Sequence, residues 1–188
     1  MGPGPPRSLR GFLGSLKRLE PHRVLLGMPF LENPPENPCF GCGPNHPRGL
    51  RLAFRSEVAD DGTQEVRGEF TPKSDEVGWP TLFHHGLHFT VLYEASYWAA
   101  LTLGGKLWVS TGPITYSADR LPRVGLLHTV SARLIESADT SLRARAETHG
   151  PGGKLCGRLD SAWRPASRAV AERAGIPLPE YLVAEMDP

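Results

Sequence analysis

One stretch constrains this chain more than any other. From Phe83 to Gly105 it reads FHHGLHFTVLYEASYWAALTLGG, and between Thr81 and Gly105 there is no Lys, Arg or Asp. Apolar residues fall on every side of a helical wheel there, which is the pattern of a helix enclosed by protein. Pro80 stands ahead of the stretch, and Gly104-Gly105 ends it where a left-handed cap can form. Its one acid is Glu94, with His84, His85 and His88 near its start. An ionised carboxylate in such surroundings is costly unless something compensates it. Glu94 is therefore the first functional candidate.

The rest of the chain is organised around that helix. Its 188 residues suit one domain with a real core. A formal net charge of +1 gives no support to a nucleic-acid or membrane-surface partner. The apolar stretch is long enough to raise the question of a membrane span, but three histidines and Glu94 within it argue against one. Three cysteines, Cys39, Cys42 and Cys156, are too few for a disulfide framework and point to a reducing, cytoplasmic setting. The N-terminus lacks the apolar core and small-residue cleavage site of a secretory signal.

Residues 1–30 form an extension. After the Gly/Pro-rich start, Leu9, Phe12, Leu13, Leu16 and Leu19 recur at helical spacing opposite Arg7, Arg10, Lys17 and Arg18. That predicts a basic amphipathic helix docked on the domain, with a transit peptide or a partner-binding helix as the other readings. The main domain spans 31–165, and 166–188 carries a short helix (Ala169–Ala174) and a Pro-rich tail.

Glu32 to Gly49 is a Pro/Asn/Gly loop holding Cys39-x-x-Cys42, with His46 four positions on. A structural zinc needs four ligands, and the remaining cysteine, Cys156, is far off in sequence. The pair is therefore read as a packed loop, with no metal assigned. Leu50, Leu52 and Phe54 alternate with Arg51 and Arg55, and Val66, Gly68 and Phe70 alternate with polar neighbours. These make a hairpin around Asp60-Asp61-Gly62. Residues 71–80 read as a loop before the helix. Strands are predicted at Leu107–Tyr116, Leu126–Ile135, Leu142–Thr148 and Leu155–Trp163, the last two joined by a loop at His149–Gly153. One long apolar helix and a run of antiparallel strands make an α+β fold, a curved sheet wrapped around the helix, known as a hotdog.

Two motifs carry a family resemblance. CFGCGPNHPRGLRL (Cys39 to Leu52) is similar to the Cys-Phe-x-Cys-Gly-Pro-x-Asn-Pro-x-Gly-Leu opening of many bacterial hotdog thioesterase-like proteins. His85-Gly86 with Glu94 resembles the His-Gly-Gly segment and downstream acid of the phenylacetate-pathway and hydroxybenzoyl-CoA thioesterase groups, in which the acid also lies eight residues after the first glycine. The second glycine of that motif is Leu87 here, and His46 stands where the family has the Asn of its Asn-Pro pair. The resemblance covers about Pro38 to Trp163. It implies acyl-CoA thioester hydrolysis, no cofactor beyond the CoA of the substrate, and dimers, often paired into tetramers, with sites between subunits.

The residues themselves fit such chemistry. Gly86 lies at a helix start, where free amides and the helix dipole can polarise a carbonyl, a donor typically worth about 3 kcal/mol in the transition state. Glu94 would act as nucleophile or general base. Eight residues of helix span about 12 Å, so one carbonyl cannot touch both groups of one chain. A site using both therefore joins Gly86 of one subunit to Glu94 of another, as a twofold homodimer or a dimer of dimers allows. His85 is a candidate to orient thioester or water, while His84 and His88 read as local structure. Thr111 is a candidate partner of Glu94 or of substrate, and Arg120 and Arg123 are candidates for the CoA phosphates. The rival reading is a non-catalytic acyl-CoA binder or regulator. A hotdog hydratase would need a Gly-Asp-x-Asn-Pro-x-His segment, and none is present.

Overall fold

A computed structural model describes residues 33, 35–110 and 112–173. The 1–30 extension, most of the C-terminal tail and Thr111 lie outside the described residues. The hairpin forms from β1 (Phe54–Val58) and β2 (Gln64–Phe70), with Phe54 opposite Gly68 and Val58 opposite Gln64. Its turn needs Gly62, which takes φ 82°. Downstream come β3 (Val77–Trp79), β4 (Leu82–Phe83), helix α1 (His85–Gly104), β5 (Trp108–Ser110), β6 (Thr115–Ser117), β7 (His128–Ala138), β8 (Ser141–Gly150), β9 (Lys154–Pro165) and helix α2 (Arg168–Arg173). The main sheet is antiparallel with strand order β1-β2-β7-β8-β9-β5, and β6 also pairs with β9.

Helix α1 packs on β2, β7, β8 and β9 and also reaches both edge strands, β1 and β5. A sheet whose centre and edges all touch one helix must curl around it, which is the hotdog arrangement. The helix ends as its glycines require. Gly105 adopts the left-handed φ of 67°, and a Cβ on Gly104 would come within 2.5 Å of the Trp108 indole nitrogen.

Three expectations are corrected. The first hairpin strand, read on the alternation of Leu50, Leu52 and Phe54, begins only at Phe54, because the Leu50 and Leu52 amides are taken by Phe40 O and Gly41 O of the preceding loop. The strand read across Leu107–Tyr116 is two short strands, because Gly112-Pro113 breaks it; Gly112 takes φ 108° and Pro113 has no amide hydrogen to give a ladder. The 71–80 loop contains β3, which pairs with β4 as a small separate hairpin, and the His84 amide donates to Glu76 O at 2.9 Å.

The core places α1 rotationally. Val91, Leu92, Ala95 and Ala99 are fully buried against Val66, Val130, Ala146 and Leu159 of the sheet, each larger aliphatic group contributing about 1.5–3 kcal/mol. Two polar pins reinforce this. The His88 ring hydrogen-bonds Thr148 Oγ1 at 2.7 Å and Tyr116 Oη at 3.0 Å. Ser96 Oγ bonds Ser161 Oγ, which also accepts from Trp163 Nε1 at 2.7 Å. At 100° per residue, Glu94 lies roughly 120° round the helix from His88 and about 160° from Ser96. With those pins facing the sheet, Glu94 is turned away from it.

Candidate active site

What Glu94 meets on that side is the Pro/Asn/Gly loop. Cys39 Sγ lies 3.3 Å from Glu94 Oε1, although 55 residues separate them. The loop is held in place by its own backbone: Leu50 N donates to Phe40 O and Leu52 N to Gly41 O, both at 2.9 Å, and Gly43 N donates to Cys39 O at 2.8 Å. Gly41 is there by necessity, because a Cβ on it would sit 2.4 Å from Glu94 Cγ. The two sulfurs receive directed donors: Cys42 N points at Cys39 Sγ (3.4 Å) and Asn37 Nδ2 at Cys42 Sγ (3.6 Å). Buried Asn37 is itself fixed, accepting from Cys39 N at 3.0 Å and donating to Asn33 Oδ1 at 2.7 Å.

The electrostatics follow from that packing. Burial, then the neighbouring Cys39 charge, raises the Glu94 carboxyl to about 8. Hydrogen bonding from Cys42 lowers Cys39 to about 5, while the same bond and burial push Cys42 well up. Cys39 is thus the more acidic of the two, and Glu94 holds its proton more tightly than an ordinary carboxyl. Burial, with the nearby Cys42 and Glu94 charges, also raises the Tyr97 phenol. Among the described residues no Lys, Arg or His lies within ion-pair distance of Glu94.

The helix start is the second element. His84 is the N-cap, and its Nδ1 accepts the Gly86 amide at 3.0 Å. The amide singled out from sequence is therefore already occupied in the single chain. His84, His85 and Gly86 are all exposed, whereas Leu87 leans on the main core. His88 is fully buried, and burial lowers its pKa to about 4.

The third element is a cavity of about 480 Å³ lined by Arg120, Arg123, Lys154, His128 and Cys156. Its loop docks on the strand that leads into the helix: Phe83 N donates to Pro122 O at 2.9 Å and Val124 N to Thr81 O at 3.1 Å. His128 shapes that loop, with Nδ1 donating to Leu126 O at 2.8 Å and Nε2 accepting from Arg123 N at 3.3 Å. The structure thus brings Arg120 and Arg123 together near the helix start. It separates them from Glu94, which lies beside the cysteine pair two turns along. Sequence reasoning missed Cys39 and Cys42 as neighbours of Glu94, and Asn37 as the side chain that holds Cys42. Cys156, the distant cysteine weighed as their partner, lies in the cation-lined cavity instead.

No family model matches this chain, and no curated protein matches it. Solved structures do resemble it. One is described as a thioesterase superfamily protein, with a TM-score of 0.58 at 18% identity, over 68% of this chain and 60% of that one. The Escherichia coli PaaI protein from the phenylacetic acid degradation operon gives a TM-score of 0.51 at 14% identity, over 55% and 73%. A hypothetical thioesterase protein from Streptococcus pneumoniae TIGR4, solved with coenzyme A, gives 0.51 at 12% identity, over 59% and 86%. This chain spans 60% of the length of the first of these proteins. The likeness establishes the hotdog fold.

Proposed function

We propose that this chain hydrolyses acyl-CoA thioesters, with Glu94 of one subunit as general base or nucleophile and the Gly86 amide of another as the donor to the thioester oxygen. The observation that carries this reading is Glu94 itself: a half-buried carboxylate with no ion pair among the described residues, turned away from the sheet on the central helix of a hotdog fold. A stabilising role would be better served by a paired or exposed acid. Support for the substrate class comes from the cation-lined cavity beside the helix start, and from a similar fold having been solved with coenzyme A.

In this mechanism the thioester carbonyl approaches Gly86, whose lack of a side chain permits close contact. The His84 ring leaves the amide, and the developing oxyanion takes its place. Glu94, in its carboxylate form, removes a proton from water as the water oxygen bonds to the acyl carbon. The tetrahedral intermediate collapses, the C–S bond breaks, and CoA leaves as a thiolate that takes up the proton. Removing such an amide donor typically costs about 10²–10³ in rate.

Because Gly86 and Glu94 of one chain are about 12 Å apart along the helix, the site is completed by a second copy. Val77 and Trp79, large and exposed on the hairpin that precedes the helix (Trp79 is 66% exposed), suit burial against that copy. One observation favours the other reading, a non-catalytic acyl-CoA binder: the Gly86 amide is held by His84.

Free-thiol release from short, long and aromatic acyl-CoAs, measured for wild type and Glu94→Gln, tests the proposal. Release that depends on Glu94 supports hydrolysis. CoA binding without release from any thioester supports the binder.

A further inference from the structure

Three metal-ligating atoms converge at one place that hydrolysis does not fully use. Cys39 Sγ, Cys42 Sγ and a Glu94 carboxylate oxygen lie within 4.8 Å of one another. Two bonds of ordinary zinc–sulfur and zinc–oxygen length, set at a tetrahedral angle, place S and O about 3.6 Å apart. The Cys39 to Glu94 separation is 3.3 Å, so a small cation fits with little movement of these two groups.

Each of the two sulfurs has an N–H donor aimed at it. The loop reads Cys-x-x-Cys-Gly. It folds back through Gly43 N to Cys39 O, and the Cys42 amide points at Cys39 Sγ. Asn37, buried and oriented by two further bonds, aims its amide hydrogen at Cys42 Sγ. Outer groups that donate to ligand atoms are the usual support of a metal site. Three groups that can each carry negative charge share this pocket, and no ion pair among the described residues offsets Glu94. Protons or a divalent cation must compensate them.

We propose that Cys39, Cys42 and Glu94 form a binding site for a thiolate-preferring divalent cation of the zinc class, with a solvent molecule as the fourth ligand. Two thiolates select for zinc over magnesium or calcium, and three protein ligands leave one position open. The site goes beyond hydrolysis and rests on that reading in one consequence only. A carboxylate bound to the cation gives up electron density to it and is a weaker base towards water, so the loaded protein is the hydrolytically less active form.

The test titrates the full-length, reduced, EDTA-treated protein with Co²⁺ and then displaces it with Zn²⁺. The expected result is one Co²⁺ per chain with an intense sulfur-to-cobalt charge-transfer band, removed by equimolar Zn²⁺. Cys39→Ser, at a half-buried position, weakens that band and the affinity. Asn37→Ala, which leaves all three ligands in place, weakens binding by ~10–100-fold. Glu94→Gln lowers affinity while keeping the sulfur band. Absence of the band in wild type, or affinity unchanged by Cys39→Ser and Glu94→Gln, would overturn the site and leave hydrolysis standing. Binding as expected in a protein with no thioesterase activity in either form would instead remove hydrolysis and leave the site. Hydrolysis that rises with Zn²⁺ would overturn the consequence for activity.

Discussion

Cys39 Sγ and Glu94 Oε1 stand 3.3 Å apart, which makes the Pro/Asn/Gly loop a wall of the candidate active site and not a passive connection. The contact also explains why this loop carries a glycine between its cysteines. Any side chain at position 41 would collide with Glu94.

The first prediction follows from that collision. Gly41→Ala places a methyl carbon 2.4 Å from Glu94 Cγ unless something shifts. Misplacing a reacting group by about 1 Å can cost about 10²-fold in rate. Thioester hydrolysis by this variant is expected to fall by about that factor with the far-ultraviolet circular dichroism unchanged, and wild-type turnover would refute the contact's importance.

A second prediction concerns the cap. His84 satisfies the Gly86 amide in the free chain, and loss of such a cap costs about 1 kcal/mol, or roughly 2–4 °C in Tm for a chain of this size. If the oxyanion replaces the imidazole during turnover, His84→Ala lowers Tm by that amount while kcat is maintained or raised. A fall in kcat of about 10-fold or more would show that His84 contributes directly.

These residues also mark what the sequence made legible. The apolar stretch, its lone acid and its Gly104-Gly105 ending were enough to place a buried helix, because each depends on local chemistry alone. Alternation at Val66–Phe70 gave the second strand of the hairpin for the same reason, whereas the alternation read at Leu50–Phe54 meets β1 only at Phe54. The Cys39–Glu94 contact spans 55 residues and depends on how a loop without periodicity lies on the helix, which no local pattern encodes. The break at Gly112-Pro113 was visible in composition, yet the apolar run on either side outweighed it. The β3–β4 hairpin was hidden because Val77 and Trp79 are exposed and have no partner face to alternate against.

A third prediction is a pH effect on stability. His88 is buried, and burial, then the nearby His85 and His128 charges, lower its pKa to about 4. Its hydrogen-bond partners, Tyr116 and Thr148, are neutral. The unfolded chain takes up a proton near pH 6.5 and the native chain does not. This contribution is therefore complete above about pH 6.5, is lost as pH falls towards 4, and changes no further below that. Its size is on the order of 3 kcal/mol. Urea unfolding at pH 7.5, 6, 5 and 4 is expected to show a steeper loss in wild type than in His88→Gln. Parallel slopes would contradict it.

A fourth prediction separates the phosphate contacts from the chemistry. Arg120 and Arg123 line the cavity by the helix start, away from Glu94. Replacing both with Ala is expected to raise KM for an acyl-CoA by ~10-fold, since charge-assisted hydrogen bonds are worth about 1.5–3 kcal/mol before solvent screening. The matching acyl-pantetheine, which lacks the phosphates, should be unaffected. An equal effect on both thioesters would place these arginines outside phosphate recognition.

The central claim is that Glu94 activates water against an acyl-CoA. Its most direct measurement is the single-turnover release of free thiol by metal-free wild type and Glu94→Gln at saturating acyl-CoA. Loss of a positioned general base typically costs about 10²–10⁴ in rate, so Glu94→Gln is expected to release thiol at least about 10²-fold more slowly while still binding CoA. Release at the wild-type rate by Glu94→Gln would contradict the claim.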